Sequence, residues 1–233
     1  MSSILNIETS TSVCSVALSV DGKIGFEKVS FEGPSHAALL GVFVEEALAR
    51  AKKEGIMPDA VAVSSGPGSY TGLRIGVSMA KGLCFGYNIP LLAVPTLAIM
   101  AYGIIEENKW PADMLYCPML DARRMEVYAA IYDNKLNIIR FTSADAVTTD
   151  TYSSFLEKNS VCFFGNGAMK CKKIITSPNA IFIDHIDPLA GNMAALANER
   201  FVNKMFEDVA YFEPFYLKEF VATVPKNKVV GNI

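Results

Sequence analysis

Histidine is scarce in this sequence. Among 233 residues only His36 and His185 occur, and they lie far apart, which argues against a metal site with imidazole ligands. The same scarcity argues against a Ser-His-Asp triad. The segment Gly68-Ser69-Tyr70-Thr71-Gly72 also fails to match the G-x-S-x-G nucleophile motif, because its central residue is tyrosine. Zinc-dependent and serine-dependent hydrolases are therefore disfavoured.

Other absences narrow the class of protein further. The five cysteines form no C-x-x-C pair, which is typical of reduced thiols in a cytosolic protein. The first residues show no basic segment followed by an apolar one, so we expect no signal peptide, and the apolar runs are too short to span a membrane. The net charge of −3 disfavours binding to a nucleic-acid backbone by this chain alone. With 51% hydrophobic residues, we expect a cytoplasmic protein with a substantial core.

The stretch at residues 60–76 carries most of the information in the sequence. The apolar run Ala60-Val61-Ala62-Val63 predicts a buried strand. A loop rich in glycine, proline and serine follows it, and a helix is predicted from there to about Tyr87. Such a strand, loop and helix N-terminus bring several backbone N–H groups together, which suits a phosphate, another anion or a closely packed protein segment. The loop is not a Walker A motif, because no Gly-Lys-Ser/Thr follows it.

The first predicted helix runs from Ser35, as its N-cap, to about Lys53. At 100° per residue its apolar positions form one core-facing arc, while His36 is expected to be an exposed polar residue. Leu39 and Phe43 fall among charged residues on the opposite side, where they are either scattered surface residues or a contact patch. The residues assigned to the core arc are Ala37, Leu40, Val44, Ala47, Leu48 and Ala51.

The second predicted helix has a narrow polar arc and four glycines, at 72, 76, 82 and 86. Because glycine in a helix interior costs about 1 kcal/mol relative to alanine, we expect these glycines to let another backbone come close. That backbone belongs either to the sheet of the same domain or to a second protein, and the sequence leaves both open. The polar arc consists of Thr71, Arg74, Ser78 and Lys81.

The two halves of the chain repeat one order of predicted elements. Three strands joined by hairpin turns are followed by helix, strand, helix, strand and helix. The first strand of each half ends in a carboxylate, Glu8 or Asp121, and a hairpin aspartate follows, Asp21 or Asp133. This repeat predicts two stacked α/β domains with mixed sheets and a cleft between them.

The repeat places the expected domains at residues 1–108 and 109–233. The last helix is predicted to start at Asp187-Pro188 and to extend to about Phe206, and this segment, 188–206, could pack back on the first domain. The other elements predicted for the second half are strands at 114–121, 125–132, 136–142, 161–164 and 180–183, and helices at 149–158 and 168–175.

Glu8 and Asp121 are the residues on which a catalytic hypothesis would rest. Two carboxylates at strand ends facing one cleft could hold Mg²⁺ and a nucleotide, as in two-domain phosphotransferases. Alternatively, Asp121 pairs with Arg123 or Arg124, and Glu8 accepts hydrogen bonds from loop donors. The residues of a possible nucleotide or anion loop are Glu8, Ser10, Gly66, Gly68, Ser69, Asp121, Gly165 and Gly167.

Five segments carry a family resemblance: ILNIETS at 4–10, SGPGSYTGLRIG at 65–76, DARRMEVY at 121–128, GNG at 165–167 and PFYLK at 214–218. Together they resemble the bacterial TsaB (YeaZ) family, and the similarity covers essentially the whole chain. The resemblance implies the duplicated actin-like ATPase fold (ASKHA, RNase H-like). It also implies a subunit of the machinery that makes N6-threonylcarbamoyladenosine at position 37 of tRNAs decoding ANN codons.

The TsaB family is also similar to the catalytic subunit TsaD, whose relatives carry a metal-binding H-x-x-x-H motif. In the matching segment of this chain the two ligand positions hold Thr96 and Met100, neither of which is a usual ligand for a divalent ion at such a site. The resemblance therefore implies a non-catalytic subunit without a metal or cofactor of its own. ATP and Mg²⁺ are then used by the assembled complex, with weak nucleotide binding at most by this chain. The alternative is an ATPase or phosphotransferase of the actin-like superfamily that uses Glu8 and Asp121.

The resemblance also implies the partners. We expect the chain to bind a TsaD-like catalytic subunit through its first two helices, to work with a TsaE-like ATPase, and to form a homodimer when alone. It would reach tRNA through the complex, and a small basic tail, Lys218, Lys226 and Lys228, could touch tRNA directly. The residues assigned to the partner contact are Leu39, Phe43, Tyr70, Thr71, Gly72, Arg74, Ile75, Gly76 and Met79.

Overall fold

Two five-stranded mixed sheets form the body of the protein. The computed structural model describes residues 1–33, 36–107 and 109–217, so the predicted N-cap Ser35 and the basic tail at 218, 226 and 228 lie outside the described residues. The first sheet contains β1 (Ser3–Glu8), β2 (Cys14–Val20), β3 (Lys23–Ser30), β4 (Ala60–Ser64) and β5 (Leu91–Val94). The second contains β6 (Leu115–Asp121), β7 (Glu126–Tyr132), β8 (Ile138–Ala146), β9 (Val161–Phe164) and β10 (Ala180–Ile183).

Six helices connect and cover these sheets in the described part of the chain. They are α1 (His36–Lys53), α2 (Tyr70–Tyr87), α3 (Thr96–Glu106), α4 (Ser153–Leu156), α5 (Ala168–Cys171) and α6 (Ala190–Val202). Within the described ranges, none of them is long and apolar enough to cross a membrane.

The strand order is the same in both sheets. It is β3-β2-β1-β4-β5 in the first and β8-β7-β6-β9-β10 in the second. In each sheet the first three strands form an antiparallel meander, and the two later strands add in parallel on the other side of the first strand. The predicted repeat and the duplicated actin-like fold are thereby confirmed. The first hairpin turns at Asp21 and Gly22 with φ of 48° and 76°, the positive values that a two-residue type I′ turn requires.

Strand β1 lies at the centre of the first sheet and serves two apolar layers. Leu5 and Ile7 belong to the core cluster that also contains the buried side chains of α1 and α2. Ile4 instead packs with side chains of α6 on the opposite face. Because successive side chains of a strand alternate between faces, a strand covered on both sides carries apolar residues on both faces, as β4 also does; the buried Asn6 of β1 is hydrogen-bonded instead.

Helix α1 packs on the first sheet through a stripe that differs slightly from the predicted one. Leu40 and Val44 are buried as expected, but Ala37 is exposed, and His36, expected at the surface, is only 6% exposed. The His36 Nε2 atom lies 2.7 Å from the carbonyl oxygen of Thr11. Both predictions were wrong because the loop after β1 offers this buried acceptor at the start of the helix, which helical periodicity does not register.

The second half contains much less helix than the sequence predicts. The helices predicted at 149–158 and 168–175 reduce to the single turns α4 and α5. In the first of these segments, the Tyr152 hydroxyl donates a 2.6 Å hydrogen bond to the buried Asp145, which fixes the chain just before α4. Asp145 also accepts two hydrogen bonds from Arg140, and β8 runs beyond its predicted end because it pairs with β7 as far as Ala146. Tertiary contacts therefore override local helix propensity here.

Helix α6 crosses from the second half back to the first sheet. Its first turn is held by side chains of that sheet: the backbone N–H of Ala190 donates to Ser15 Oγ at 2.9 Å, and that of Gly191 to Glu27 Oε1 at 2.7 Å. The helix therefore begins at Ala190 and not at the predicted Asp187-Pro188 pair. Acceptors on β2 and β3, rather than a local cap, satisfy its first N–H groups.

After α6 the chain returns along the first half as an irregular segment, residues 205–217, which we call the C-terminal strap. The backbone N–H of Glu207 donates to the carbonyl oxygen of Leu91 at 2.9 Å, at the outer edge of β5. Val209 and Phe212 then pack against the core cluster shared by α1 and α2. The strap thus covers one edge of the first sheet and leads to the glycine loop before α2.

Candidate functional site

The glycine loop after β4 is enclosed by other segments of the same chain. The backbone N–H of Ser69 donates to the carbonyl oxygen of Ser10 at 2.6 Å, and a side chain at Gly68 would collide with that carbonyl group. A Cβ atom at Gly66 would lie 2.7 Å from the carbonyl oxygen of Phe215 in the C-terminal strap. The glycines are therefore needed because two backbone segments approach the loop closely.

The N-terminus of α2 is closed in the same way. Ser69 is its N-cap, and its Oγ accepts a hydrogen bond from the N–H of Gly72 at 3.2 Å. Thr9 Oγ1 donates to the Gly72 carbonyl oxygen at 2.8 Å. A Cβ atom at Gly72 would collide with the Thr9 carbonyl oxygen, and one at Gly76 with Thr9 Oγ1. The sequence left open whether the helix glycines face the same domain or a second protein. Gly72 and Gly76 face the same domain.

This packing corrects part of the predicted partner contact. Gly72 and Gly76 are buried against Thr9, so they are not themselves accessible to a partner. Leu39 and Phe43, which were placed on a solvent-facing side, are half-buried and pack against the first core cluster. Their binding to a partner stays a prediction, and only their exposed parts could contribute to it.

Glu8, at the end of β1, is fully buried and does not face an open cleft. Its Oε1 atom accepts a hydrogen bond from the backbone N–H of Ser10 at 2.5 Å. Its Oε2 atom has no partner in good hydrogen-bond geometry among the described residues, although the Ser10 and Ser64 hydroxyl groups lie close enough to lower the pKa of the carboxyl group. Burial raises the pKa of Glu8 from 4.5 to about 7, and hydrogen bonding from Ser10 opposes this rise only in part.

The raised pKa of Glu8 gives a pH-dependent prediction. The native carboxyl holds its proton up to about pH 7, whereas the unfolded one loses it near pH 4.5, so Glu8 lowers stability as the pH rises through this window. We expect Glu8→Gln to become more stable relative to the wild type between pH 5 and pH 8, by about 3 kcal/mol at most. Urea unfolding at both pH values measures this, with the exposed Glu157→Gln as the control. An equal stability difference at both values would contradict it.

Asp121, the matching carboxylate of the second half, has a different environment. Its side chain is half-exposed, and its Oδ1 atom lies 2.5 Å from Lys170 Nζ. Lys170 also donates to the carbonyl oxygens of Arg124 at 2.8 Å and Glu126 at 2.6 Å. The predicted pairing with an arginine side chain is therefore wrong: Arg123 supplies only its backbone N–H, at 2.9 Å. Both arginines have positive φ, a turn conformation that directs the Arg124 carbonyl oxygen toward Lys170.

The loop at Gly165 and Gly167 packs on strand β6. A Cβ atom at Gly165 would lie 2.5 Å from the Met119 carbonyl oxygen, and one at Gly167 would lie 2.8 Å from the carbonyl carbon of Leu120. Asn166 Oδ1 accepts a 2.8 Å hydrogen bond from the backbone N–H of Asp121. Close backbone packing thus explains the glycines of both predicted anion loops, and nucleotide or anion binding stays a prediction.

The two positions that the sequence analysis matched to metal ligands are inside the core. Thr96 and Met100 are both fully buried, and the Met100 methyl group would lie 2.5 Å from a Cβ atom at Gly165. Across the described ranges of the chain, no three His, Cys, Asp or Glu side chains come together in a way that could hold a metal ion. A thioether and a hydroxyl group in this setting do not form a divalent-ion site.

Two apolar grooves lie on the surface of α1 and α2. The first groove has a volume of about 590 Å³ and follows α2, and the second, of about 580 Å³, lies between α1, α2 and the segment before β4. Met79 lines both of them. The first groove is lined by Arg74, Ile75, Ser78, Met79, Gly82 and Leu83, and the second by Gly41, Val44, Glu45, Leu48, Ala49, Lys52, Met57, Pro58, Met79 and Tyr87.

The grooves bring together some of the predicted contact residues and add others. Arg74, Ile75 and Met79 share the first groove, and Thr71 is exposed one turn before them. The sequence analysis did not assign Leu83 to the contact, although it lies one helical turn beyond Met79 on the same face. The residues before β4 that line the second groove carry no periodic signal and could not have been found in that way.

Arg74 marks the end of the first groove that lies beside the C-terminal strap. Its Cζ atom lies 4.3 Å from the ring centroid of Tyr70, and its Nε atom donates to the Tyr216 hydroxyl group at 3.4 Å. The rings of Tyr70 and Tyr216 are themselves 4.8 Å apart. Further along α2, Lys81 Nζ donates to the Ala210 carbonyl oxygen at 3.0 Å.

These features define a class of protein: a duplicated actin-like protein whose glycine loops are packed by its own backbone and whose first two helices expose apolar grooves. Comparison with known proteins narrows this class. A family model described as "TsaD: tRNA N6-adenosine threonylcarbamoyltransferase" matches residues 33–226. The chain belongs to the TsaB (YeaZ) branch of this family, as three similar proteins indicate.

The three proteins differ in how much of the chain they match. The tRNA threonylcarbamoyladenosine biosynthesis protein TsaB of Escherichia coli is 37% identical over 136 residues, which span 58% of this chain and 56% of that protein. The protein of the same name from Bacillus subtilis is 30% identical over 175 residues, 74% of either chain. The solved structure of YeaZ from Pseudomonas aeruginosa has a TM-score of 0.75 at 27% identity and covers 93% of this chain and 100% of its own.

Proposed function

We propose that this chain is the non-catalytic subunit of the system that makes N6-threonylcarbamoyladenosine at position 37 of tRNA, and that it binds and activates a TsaD-type catalytic subunit. The names of its relatives support the pathway. The observation that carries the finer proposal is the pair of apolar grooves on α1 and α2, which meet at Met79. Exposed apolar surface of this kind is typical of protein docking sites.

The chemistry of the rest of the molecule supports a binding role over a catalytic one. Glu8 is buried and its pKa is raised to about 7, so the ionised form that binds Mg²⁺ is less favoured here than in an ordinary glutamate. Asp121 is engaged by Lys170. The backbone N–H groups of Ser69 and Gly72, which could otherwise bind a phosphate, are occupied by acceptors of the same chain.

The docking proposal predicts a large loss of affinity when a charge enters the shared wall of the grooves. We expect Met79→Glu to weaken binding to the TsaD-type subunit of the same genome more than 100-fold, because the carboxylate would be buried without a partner. Phe85→Glu is the matched control, since Phe85 lies on the same helix, is 86% exposed and lines neither groove. Isothermal titration measures the affinities, and thermal unfolding checks that both variants fold. Equal affinity of Met79→Glu and the wild type would refute the docking site.

The competing hypothesis is an actin-like ATPase or phosphotransferase that uses Glu8 and Asp121. Titration of the purified chain with ATP and Mg²⁺ separates the two hypotheses: micromolar binding with turnover supports the enzyme, and the absence of both supports the subunit.

We extend the proposal to a TsaE-type ATPase as a further partner, to tRNA reached through the complex, and to a homodimer of the isolated chain. In the assembled system, ATP and Mg²⁺ are used by the complex and not by this subunit alone.

A further inference from the structure

The C-terminal strap forms part of the surface on which the partner is proposed to dock. Its last described residues reach the glycine loop, where the backbone N–H of Phe215 donates to the Ser65 carbonyl oxygen at 2.7 Å. The next residue, Tyr216, places its ring 4.8 Å from that of Tyr70, tilted by 40°, and accepts a hydrogen bond from Arg74. Arg74 and Tyr216 are 142 positions apart in the chain, so two distant segments together form this end of the first groove.

These contacts fix the direction of the Arg74 side chain while leaving it exposed. The guanidinium lies over the Tyr70 ring and uses its Nε–H group toward Tyr216, and such a stacked arginine has lost much of its rotational freedom before it binds anything. Glu213 of the strap is close enough to raise the pKa of Arg74, after the larger effect of the Tyr216 hydrogen bond. Among the described residues, Arg74 forms no ion pair, so its two terminal amino groups are open to an acceptor.

The charge of the first groove indicates what such an acceptor is. Arg74 is the one charged side chain in its lining, and the others are apolar or small. A second copy of this chain docked groove to groove would add another Arg74 but no carboxylate from its groove lining, and the nearby Glu213 already lies beside the Arg74 of its own chain, so two copies do not match each other in charge here. A partner that brings a carboxylate to this end and apolar side chains to the remainder matches the groove, because guanidinium and carboxylate pair through two parallel hydrogen bonds.

We propose that the C-terminal strap, through Tyr216 and Tyr70, positions Arg74 to bind a carboxylate of the catalytic subunit, next to an apolar helix seated in the first groove. This inference rests on the proposed function. Arg74 is then the contact residue that selects the partner, and Tyr216 is a positioning residue that acts through it.

Arg74 and Tyr216 variants test the inference in titrations of the TsaD-type subunit with the full chain. We expect Arg74→Gln to weaken binding 10-fold to 100-fold and to flatten its dependence on salt, because an ion pair has been lost. Tyr216→Ala should weaken binding about 10-fold, and Tyr216→Phe, which keeps the ring, should have a smaller effect. Tyr211→Ala is the matched control, because this strap tyrosine is 84% exposed and does not line the first groove. In a chain that already carries Tyr216→Ala, Arg74→Gln should weaken binding by a smaller factor than it does in the wild type, because both changes remove the same contact.

The outcomes separate this inference from the proposed function. If the wild type binds and Arg74→Gln retains both its affinity and its salt dependence, the carboxylate contact is refuted while the docking site stands. If Tyr216→Ala and Arg74→Gln are additive, Tyr216 does not position Arg74. If the wild type fails to bind the catalytic subunit at all, the proposed function itself fails. Sedimentation of the chain alone measures its oligomeric state and so tests whether a second copy fills the first groove. A dimer that Arg74→Gln dissociates would overturn the assignment to a carboxylate-bearing partner.

Discussion

Replacing Gly72 by alanine is expected to destabilise the protein by about 3 kcal/mol or more. The added methyl group would collide with the backbone carbonyl oxygen of Thr9, which cannot move aside as the end of a flexible side chain could. Thr9 is also tied to this turn of α2, because its hydroxyl group donates to the Gly72 carbonyl oxygen. Relief of the collision would therefore separate the helix from β1. Urea unfolding, followed by circular dichroism, measures the loss of stability.

Gly82→Ala is the matched control for this prediction. Gly82 is also in α2, but nothing lies within 4 Å of the position of its missing Cβ atom. Alanine there should stabilise the protein by up to about 1 kcal/mol, because glycine is the poorer helix former. A Gly72→Ala variant as stable as Gly82→Ala would contradict the close packing of α2 on the loop after β1.

Replacing Arg140 by methionine is expected to cost about 3–5 kcal/mol, because it leaves the buried carboxylate of Asp145 without its cation. Arg140 donates two hydrogen bonds to Asp145, at 2.7 and 2.6 Å. The side chain of Asp145 is only 5% exposed. It would retain only the hydroxyl groups of Ser143 and Tyr152 as donors. Arg50→Met, which breaks an exposed pair with Glu54, is the control and should cost less than about 1 kcal/mol.

The pH dependence of the Arg140→Met variant tests the same interaction. Burial pushes the pKa of Asp145 upward, but hydrogen bonds from Arg140, Tyr152 and Ser143 outweigh it, and the pKa lies below its ordinary value of 3.8. The wild type therefore gains stability from this carboxylate above that pH and loses it as the pH falls further. In the variant this gain is absent, so the difference in stability should shrink below about pH 4. A difference that stays constant down to pH 2 would show that packing, and not the ion pair, is what the mutation removes.

The architecture followed from the sequence to a large extent because hydrophobic periodicity and turn chemistry are local. The hairpin aspartate at 21, the repeated order of elements and the apolar run at 60–63 predicted the layout of the first sheet, and β4 extends one residue beyond that run. The helix predictions were weaker in the second half. There Asp145 and donors two to seven positions away form a buried side-chain network that holds the chain in a strand and a turn, and hydrophobic periodicity does not register such a network.

The candidate site was predictable as a set of residues, but not in the roles that those residues play. The sequence singled out the glycines of α2 and left open whether they face the same domain or a partner. The structure divides them, since Gly72 and Gly76 pack on Thr9, whereas Gly82 lines the first groove. It also placed Leu39 and Phe43 against the core, because α1 contacts α2 and β3 as well as β2, and a helical wheel does not represent such neighbours.

The sequence by itself determined the duplication, the strand and loop before α2, and the lack of histidine at positions 96 and 100. Each of these features depends only on residue types and short spacings along the chain. Only the tertiary structure decided that the glycine loops are filled by the chain's own carbonyl groups and that Glu8 is buried. It alone brought Tyr216 to Arg74. The physical reason is that burial, close backbone approach and contacts between distant segments depend on how the two halves and the strap come together, which no local pattern of residues encodes.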